Sequence, residues 1–192
     1  MSANESEFQK IYDAFQPKIL RYLTHLASES EAEDLTQETF VKIHQRLENF
    51  RGESQLSTWI YRIATNTALD RLRSPSFQRA AQISLSENLD ETELADKVIC
   101  PEDKKPLIEK QLIREEMNEC IRGYIEKLPE NYRTVLVLSE WVGLKNNEIA
   151  EILGVTLDAV KIRLHRAKTK LKEELETHCE FYWVEEMPCS VK

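Results

Sequence analysis

A chain of 192 residues can hold one domain or two small ones, and its formal net charge of -8 sets no partner by itself. Four glycines in all, few β-branched runs and much Leu, Glu, Lys, Arg and Ala exclude sheet-rich and glycine-loop architectures and predict an all-α fold. No apolar run approaches the ~20 residues of a membrane span, and the opening MSANESEFQK lacks the apolar core of a signal peptide, so a cytoplasmic protein without membrane insertion is expected. Cys100, Cys120, Cys179 and Cys189 are scattered, and in a reducing compartment no structural disulfide is expected.

Three helices fit a first domain over residues 1–75: Glu5 to Ala27 with a kink or break at Pro17, Glu31 to Glu48, and Ser57 to Arg73. Ser30 with Glu33 or Asp34 following is a candidate capping start, Arg51-Gly52 a turn, and Ser74-Pro75 a stop. The second helix gathers Leu35, Thr39, Phe40, Ile43 and Leu47 on one face as a core stripe. Its other face carries Asp34, Gln37, Glu38 and Val41. The third turns Ile60, Ile63, Ala64 and Thr67 inward and leaves Arg62, Asn66 and Arg73 on other faces, with Trp59 and Tyr61 among them.

From 76 to 110 the periodicity fades, the composition turns polar and acidic, and Pro101 and Pro106 interrupt it, which predicts a linker. Helical spacing returns at Leu112. A second small helical domain is expected over 111–177, with a helix starting near Pro129 whose apolar surface comes from Tyr132, Val135, Leu136, Leu138 and Trp141.

The segment NNEIAEILGVTLDAVKIRLHRAKTKL then predicts a short helix from Asn146 to Leu153, a Gly154-Val155 turn, and a longer helix capped by Thr156: a helix-turn-helix. Asn146 is the candidate cap of the shorter helix, since Lys145 is a poor one. On a 100° wheel the longer helix buries Val160, Leu164, Ala167 and Leu171. The opposite face holds Asp158, Ile162, His165, Arg166 and Thr169, flanked by Lys161, Lys168 and Lys172 on one side and Arg163 and Lys170 on the other. A helix lying in a major groove needs that arrangement, because its central face meets base edges while its flanks pass the phosphate backbones. A solvated basic helix is the plainer alternative, and the preceding helix and turn argue against it.

Together AEDLTQETFVKIH, FRGESQLSTWIYRIATNTALDRLR and LPENYRTVLVLSEWVGLKNNEIAEILGVTLDAVKIRLHRAKTKL resemble the sigma-70 family of bacterial transcription initiation factors, in its small extracytoplasmic-function (ECF) form. The resemblance implies that the first domain is region 2, which holds core RNA polymerase at its β′ clamp and recognises and melts the -10 promoter element. The second is implied to be region 4, which reads the -35 element and touches the β flap.

It places polymerase contacts at Asp34, Gln37, Glu38 and Val41. The -10 set comprises Asn49, Arg51, Ser54 and Gln55 in the loop that receives a flipped base, with Trp59, Tyr61, Arg62, Asn66 and Arg73 on the third helix. The -35 set comprises Thr156, Asp158, Ala159, Lys161, Ile162, Arg163, His165, Arg166, Lys168 and Lys170. Where the family often has Thr-Val-Lys-Ser-Arg-Leu, this chain has Ala159-Val160-Lys161-Ile162-Arg163-Leu164. Two hydroxyls are lost, and an apolar contact suited to a thymine methyl is gained. An anti-sigma factor is the implied regulatory partner.

Beyond the resemblance, the tail of residues 178–192 carries His178, Cys179 and Cys189. Metal binding or a thiol switch there competes with simple apolar packing, but three ligands at that spacing match no zinc pattern. No cofactor, metal site or catalytic residue is expected, for the sequence has no phosphate loop and no paired nucleophile and base. The competing function is a helix-turn-helix regulator that binds duplex DNA and never enters polymerase.

Overall fold

The computed structural model describes residues 3–75, 77 and 121–178, and these are helical throughout apart from the connecting turns. The expected linker, the restart at Leu112 and the cysteines of linker and tail lie outside the described residues. Helix α1 spans Ala3–Leu26, α2 Glu29–Arg46 and α3 Leu56–Arg73, with a 3-10 turn Leu47–Asn49 after α2. Residues 121–127 are helical (α4). Then follow α5 Glu130–Glu140, α6 Asn146–Leu153 and α7 Leu157–His178.

The apolar stripes read from the sequence are the stripes that pack. Leu35, Thr39, Phe40, Ile43 and Leu47 of the second segment are all buried, as are Ile60, Ile63, Ala64 and Thr67 of α3. They close on Ile19, Tyr22, Leu23 and Leu26 of α1. Fully burying an aliphatic side chain such as Ile43 is worth about 1.5–3 kcal/mol. In the second half Ile125, Leu128, Val135, Leu136, Leu138, Ile149, Ile152, Val160 and Ala167 form the core, and Tyr132 and Trp141 pack half-buried against it.

Three local expectations need correction. Of the kink or break expected at Pro17 the break is absent, for α1 runs through it; Pro17 sits on the exposed side, where the carbonyl that loses its N–H partner faces water. Ser30 is inside α2 rather than at its cap: the helix begins at Glu29 after Ser28, whose hydroxyl is 3.0 Å from that of Ser30. Lys145, not Asn146, precedes α6. Its backbone N–H donates to the Glu148 carboxylate at 2.8 Å, so the first turn is tied by its third residue.

The two halves are packed together, and their buried apolar residues belong to one continuous cluster. The Arg133 guanidinium of α5 donates from Nη1 to the carbonyl of Leu26 at 3.2 Å and from Nη2 to that of Leu128 at 3.3 Å. It thereby caps the carbonyl end of α1 with a cation from the other half. The His25 ring lies 5.0 Å from that of Trp141, and contacts also run between α3 and α6.

Candidate nucleic-acid and polymerase interfaces

The helix-turn-helix is built by backbone chemistry that few residues can supply. Gly154 ends α6 in the left-handed region at φ 63°, where a side chain is disfavoured, and redirects the chain into α7. Thr156 accepts the Ala159 N–H on its hydroxyl at 3.2 Å, capping α7 as expected. Val160 and Ala167 are fully buried, with Leu164 and Leu171 packed against the core. That anchoring turns Asp158, Lys161, Ile162, His165, Arg166, Lys168, Thr169, Lys170 and Lys172 to solvent, while Ala159 and Arg163 are half-buried at the edge. Ile162 is 52% exposed, an apolar side chain in the middle of a charged face.

Part of the positive charge is already answered. Lys168 Nζ is 2.9 Å from Glu140 of α5, Lys161 is 3.5 Å from Asp158, and Lys172 is 3.5 Å from Glu176. Arg163 and Arg166 make no ion pair with another described residue. The cations of one flank, Lys161, Lys168 and Lys172, are thus the paired ones, while Arg166 on the central face makes no ion pair with another described residue.

On the first half, the loop between α2 and α3 is organised by Phe50, whose ring lies 4.9 Å from that of Trp59. Asn49, Arg51 and Gln55 are exposed around this pair, and Ser54 is half-exposed. Gly52 turns the loop at φ 71°. Trp59 is therefore a half-buried support under the loop.

Tyr61 departs from the expectation of an accessible aromatic. It is 5% exposed, packs edge-on to Tyr22 at 5.4 Å, and burial pushes its phenol up to about 12. In this packing it is a core residue.

Asn66 is exposed at a polar cavity of about 300 Å³ lined also by Lys42, Arg46, Thr67 and Asp70. Lys42 and Arg46 were not among the sequence candidates. They lie on α2 toward α3, and only the pairing of the two helices brings them beside Asn66. Arg62 and Arg73 point to the second half: Arg62 Nη2 is 2.7 Å from Glu151 of α6, and Arg73 holds Glu130 of α5.

Asp34, Gln37, Glu38 and Val41 are all exposed on one side of α2. Beside them runs an open groove of about 520 Å³ between α1 and α2, lined by Phe8, Tyr12, Leu20, Phe40, Val41 and His44. Tyr12 is 39% and Val41 55% exposed. Tyr12 stacks edge-on to Phe40 at 4.8 Å, and Phe8 edge-on to His44 at 4.8 Å. Sequence reading missed the α1 side of this groove, although Phe8 and Tyr12 stand one helical turn apart and outside the main stripe. Among the described residues no three His, Cys, Asp or Glu side chains are placed to hold a metal ion, and no helix is long and apolar enough to cross a membrane.

Residues 11–77 match the family described as Sigma-70 region 2, and residues 118–171 match Sigma-70, region 4. The ECF RNA polymerase sigma factor SigW of Bacillus subtilis is 33% identical over 176 residues, spanning 90% of each chain. The RNA polymerase sigma factor YlaC of the same organism is 34% identical over 90% of this chain and 94% of its own. The RNA polymerase sigma-H factor of Pseudomonas aeruginosa is 32% identical over 84% of this chain and 82% of its own.

Two solved structures share the fold. CnrH in complex with the cytosolic domain of CnrY has a TM-score of 0.62 at 23% identity over 91% of both chains. The sigma factor RpoE in complex with the anti-sigma factor NepR from Bartonella quintana has a TM-score of 0.62 at 22% identity, over 88% of this chain and 97% of that one. Matched along nine-tenths of its length by these relatives, the chain belongs to the ECF group of the sigma-70 family of RNA polymerase sigma factors.

Proposed function

We propose that this protein is a promoter-specificity subunit: it binds core RNA polymerase, brings it to promoters through -10 and -35 recognition, and catalyses nothing itself. Family membership along nine-tenths of the chain carries this reading. The geometry supports it, because the chain carries an exposed basic reading helix on a Gly154-turned helix-turn-helix and a separate acidic and apolar face on α1 and α2.

In this reading 1–75 and 111–177 are the region 2 and region 4 units, joined by 76–110 and followed by a tail, all working in the cytoplasm. The α2 face of Asp34, Gln37, Glu38 and Val41 meets the β′ clamp, with the Tyr12 groove taking an apolar side chain beside it. An acidic surface around an apolar groove suits a basic amphipathic partner helix. Region 4 touches the β flap, and an anti-sigma factor covers one or both polymerase-binding surfaces.

On α7, Asp158, Ile162, His165 and Arg166 read base edges. Lys161, Arg163, Lys168 and Lys170 hold phosphates, Thr156 fixes the helix start, and Ala159 lines the edge. At the -10 element Asn49, Arg51, Ser54 and Gln55 offer short polar groups to an unstacked base. Asn66, Arg62 and Arg73 serve the strand, over the Trp59 support. Tyr61 is left out of this set because it is buried. Binding of labelled protein to purified core polymerase, followed by anisotropy, tests the reading: saturable binding is expected, and binding only to duplex DNA would favour an ordinary helix-turn-helix regulator.

A further inference from the structure

Lys42 and Arg46 stand one turn apart on α2, about 6 Å along the helix axis, and both line the cavity that Asn66, Thr67 and Asp70 close from α3. Lys42 is held in place there: its Nζ is 2.8 Å from Glu38 and donates to the Thr67 hydroxyl at 3.1 Å. An ammonium has three protons, so one remains for the cavity. Arg46 is exposed in the last turn of α2 and makes no ion pair with another described residue. Asp70 is the single acid among the lining residues, and the two cations outweigh it.

No aromatic ring is among the lining residues, so an unstacked base finds no platform in this cavity. The rings stand instead at the adjoining loop, where Phe50 lies 4.9 Å from Trp59. Only the 3-10 turn Leu47–Asn49 separates Arg46 from that loop. Single-strand sites combine a cationic track for the backbone with rings for the bases, and here the two parts follow one another along the chain. Each cation has a plainer explanation by itself, since Arg46 answers the dipole at the end of α2 and Lys42 pairs with the acid one turn before it. Neither explanation accounts for both cations lining one cavity opposite Asn66.

We propose that Lys42 and Arg46 form a seat for neighbouring backbone phosphates of the single promoter strand whose unstacked base enters the loop of Asn49, Arg51, Ser54 and Gln55, with Asp70 limiting the affinity of that seat. The inference rests on the proposed -10 reading of the loop and of Asn66. It adds to that reading a ligand group, the phosphodiester, and two positions that hold the strand without reading its sequence.

The test uses holoenzyme at saturating core polymerase and follows the anisotropy of labelled single-stranded DNA from a randomised pool, of an abasic strand of equal length, and of a randomised duplex. Lys42→Gln/Arg46→Gln is compared with the parent, with Asp70→Asn, and with Lys10→Gln/Lys18→Gln, which removes the same charge from exposed positions of α1 outside the cavity. Relative to that control, the cavity pair is expected to weaken both single strands by about tenfold and to lower the slope of log affinity against log salt by about 1.4, or about 0.7 for each phosphate, while duplex binding follows the control. Asp70→Asn is expected to tighten both single strands by about threefold, a gain that damaged folding cannot give. Control-level affinity and salt slope in the cavity pair, no gain in Asp70→Asn, or a loss confined to base-bearing strands or shared equally by duplex overturns the proposal and leaves the -10 reading in place. If the parent holoenzyme binds single strands no better than core polymerase alone, the -10 reading itself has failed and the inference falls with it.

Discussion

Arg73, the last residue of α3, clasps Glu130, the first residue of α5, through both Nε and Nη2. That pair joins the last helix of the first half to α5 of the second, across 56 intervening positions of sequence. Together with Arg62 and Glu151 it pairs two arginines of α3 with acids of the other half.

The α2 face should govern polymerase affinity. Glu38 already pairs with Lys42 at 2.8 Å, so Asp34→Lys/Glu38→Lys replaces an acidic surface with three adjacent cations. Affinity for core polymerase should fall by about tenfold or more, since like charges set against a basic partner cost several kcal/mol. Both positions are exposed, and circular dichroism should be unchanged. Equal binding by variant and parent would move the contact elsewhere.

Reading and anchoring should separate on α7. Arg166→Ala is expected to change preference at one or two -35 base pairs at a cost of roughly 1–3 kcal/mol. Lys168→Ala should weaken all sequences evenly. Because Lys168 is paired with Glu140, Glu140→Gln should free it and steepen the salt dependence by up to about one phosphate. A randomised -35 library at two salt concentrations checks all three, and sequence preference that follows Lys168 instead would reverse the faces.

His25 links pH to the packing of the halves. Burial, then the Arg122 and Arg21 charges, lower its pKa from 6.5 to about 4. The folded state binds this proton less readily than the unfolded chain. Its stabilising effect is therefore complete above about pH 6.5 and is lost as pH falls toward 4. His25→Phe keeps a ring against Trp141 without the titration, so the melting temperature of the variant should decline less over that window. Parallel declines would remove His25 from the account.

In the first core, Tyr22 and Thr65 hydroxyls are 2.8 Å apart, and Thr65 also donates to the Tyr61 carbonyl at 2.6 Å. With that proton committed, Tyr22 is the donor, and burial raises its phenol pKa. Tyr22→Phe should cost about 1 kcal/mol in urea unfolding. Thr65→Val strands a buried phenol and should cost more, about 1–3 kcal/mol beyond the packing change. The reverse order would mean the hydroxyl pair is not the governing interaction.

Helix existence and core stripes were legible because Leu35, Phe40, Ile43, Val160 and Ala167 recur at the period that buries one face, and Gly154 with Thr156 marks the turn by local backbone chemistry alone. Tyr61 was misplaced because a wheel cannot tell an aromatic turned toward α1 from one turned to solvent; Tyr22, 39 positions earlier (61 − 22), decides it. The Tyr12 groove and the Lys42, Arg46 and Asn66 cavity need two helices each, so no single segment announces them. The Arg62 and Arg73 ion pairs depend on how the halves dock, and charge pattern along the chain carries no record of that.

Multi-round transcription by purified core polymerase on a pooled promoter library, with and without this protein, tests the central claim most directly. The account predicts transcripts with defined starts, downstream of shared -10 and -35 sequences, that appear only with the protein and disappear with Asp34→Lys/Glu38→Lys. Transcription that is unchanged by the protein, while it still binds duplex DNA, would contradict it.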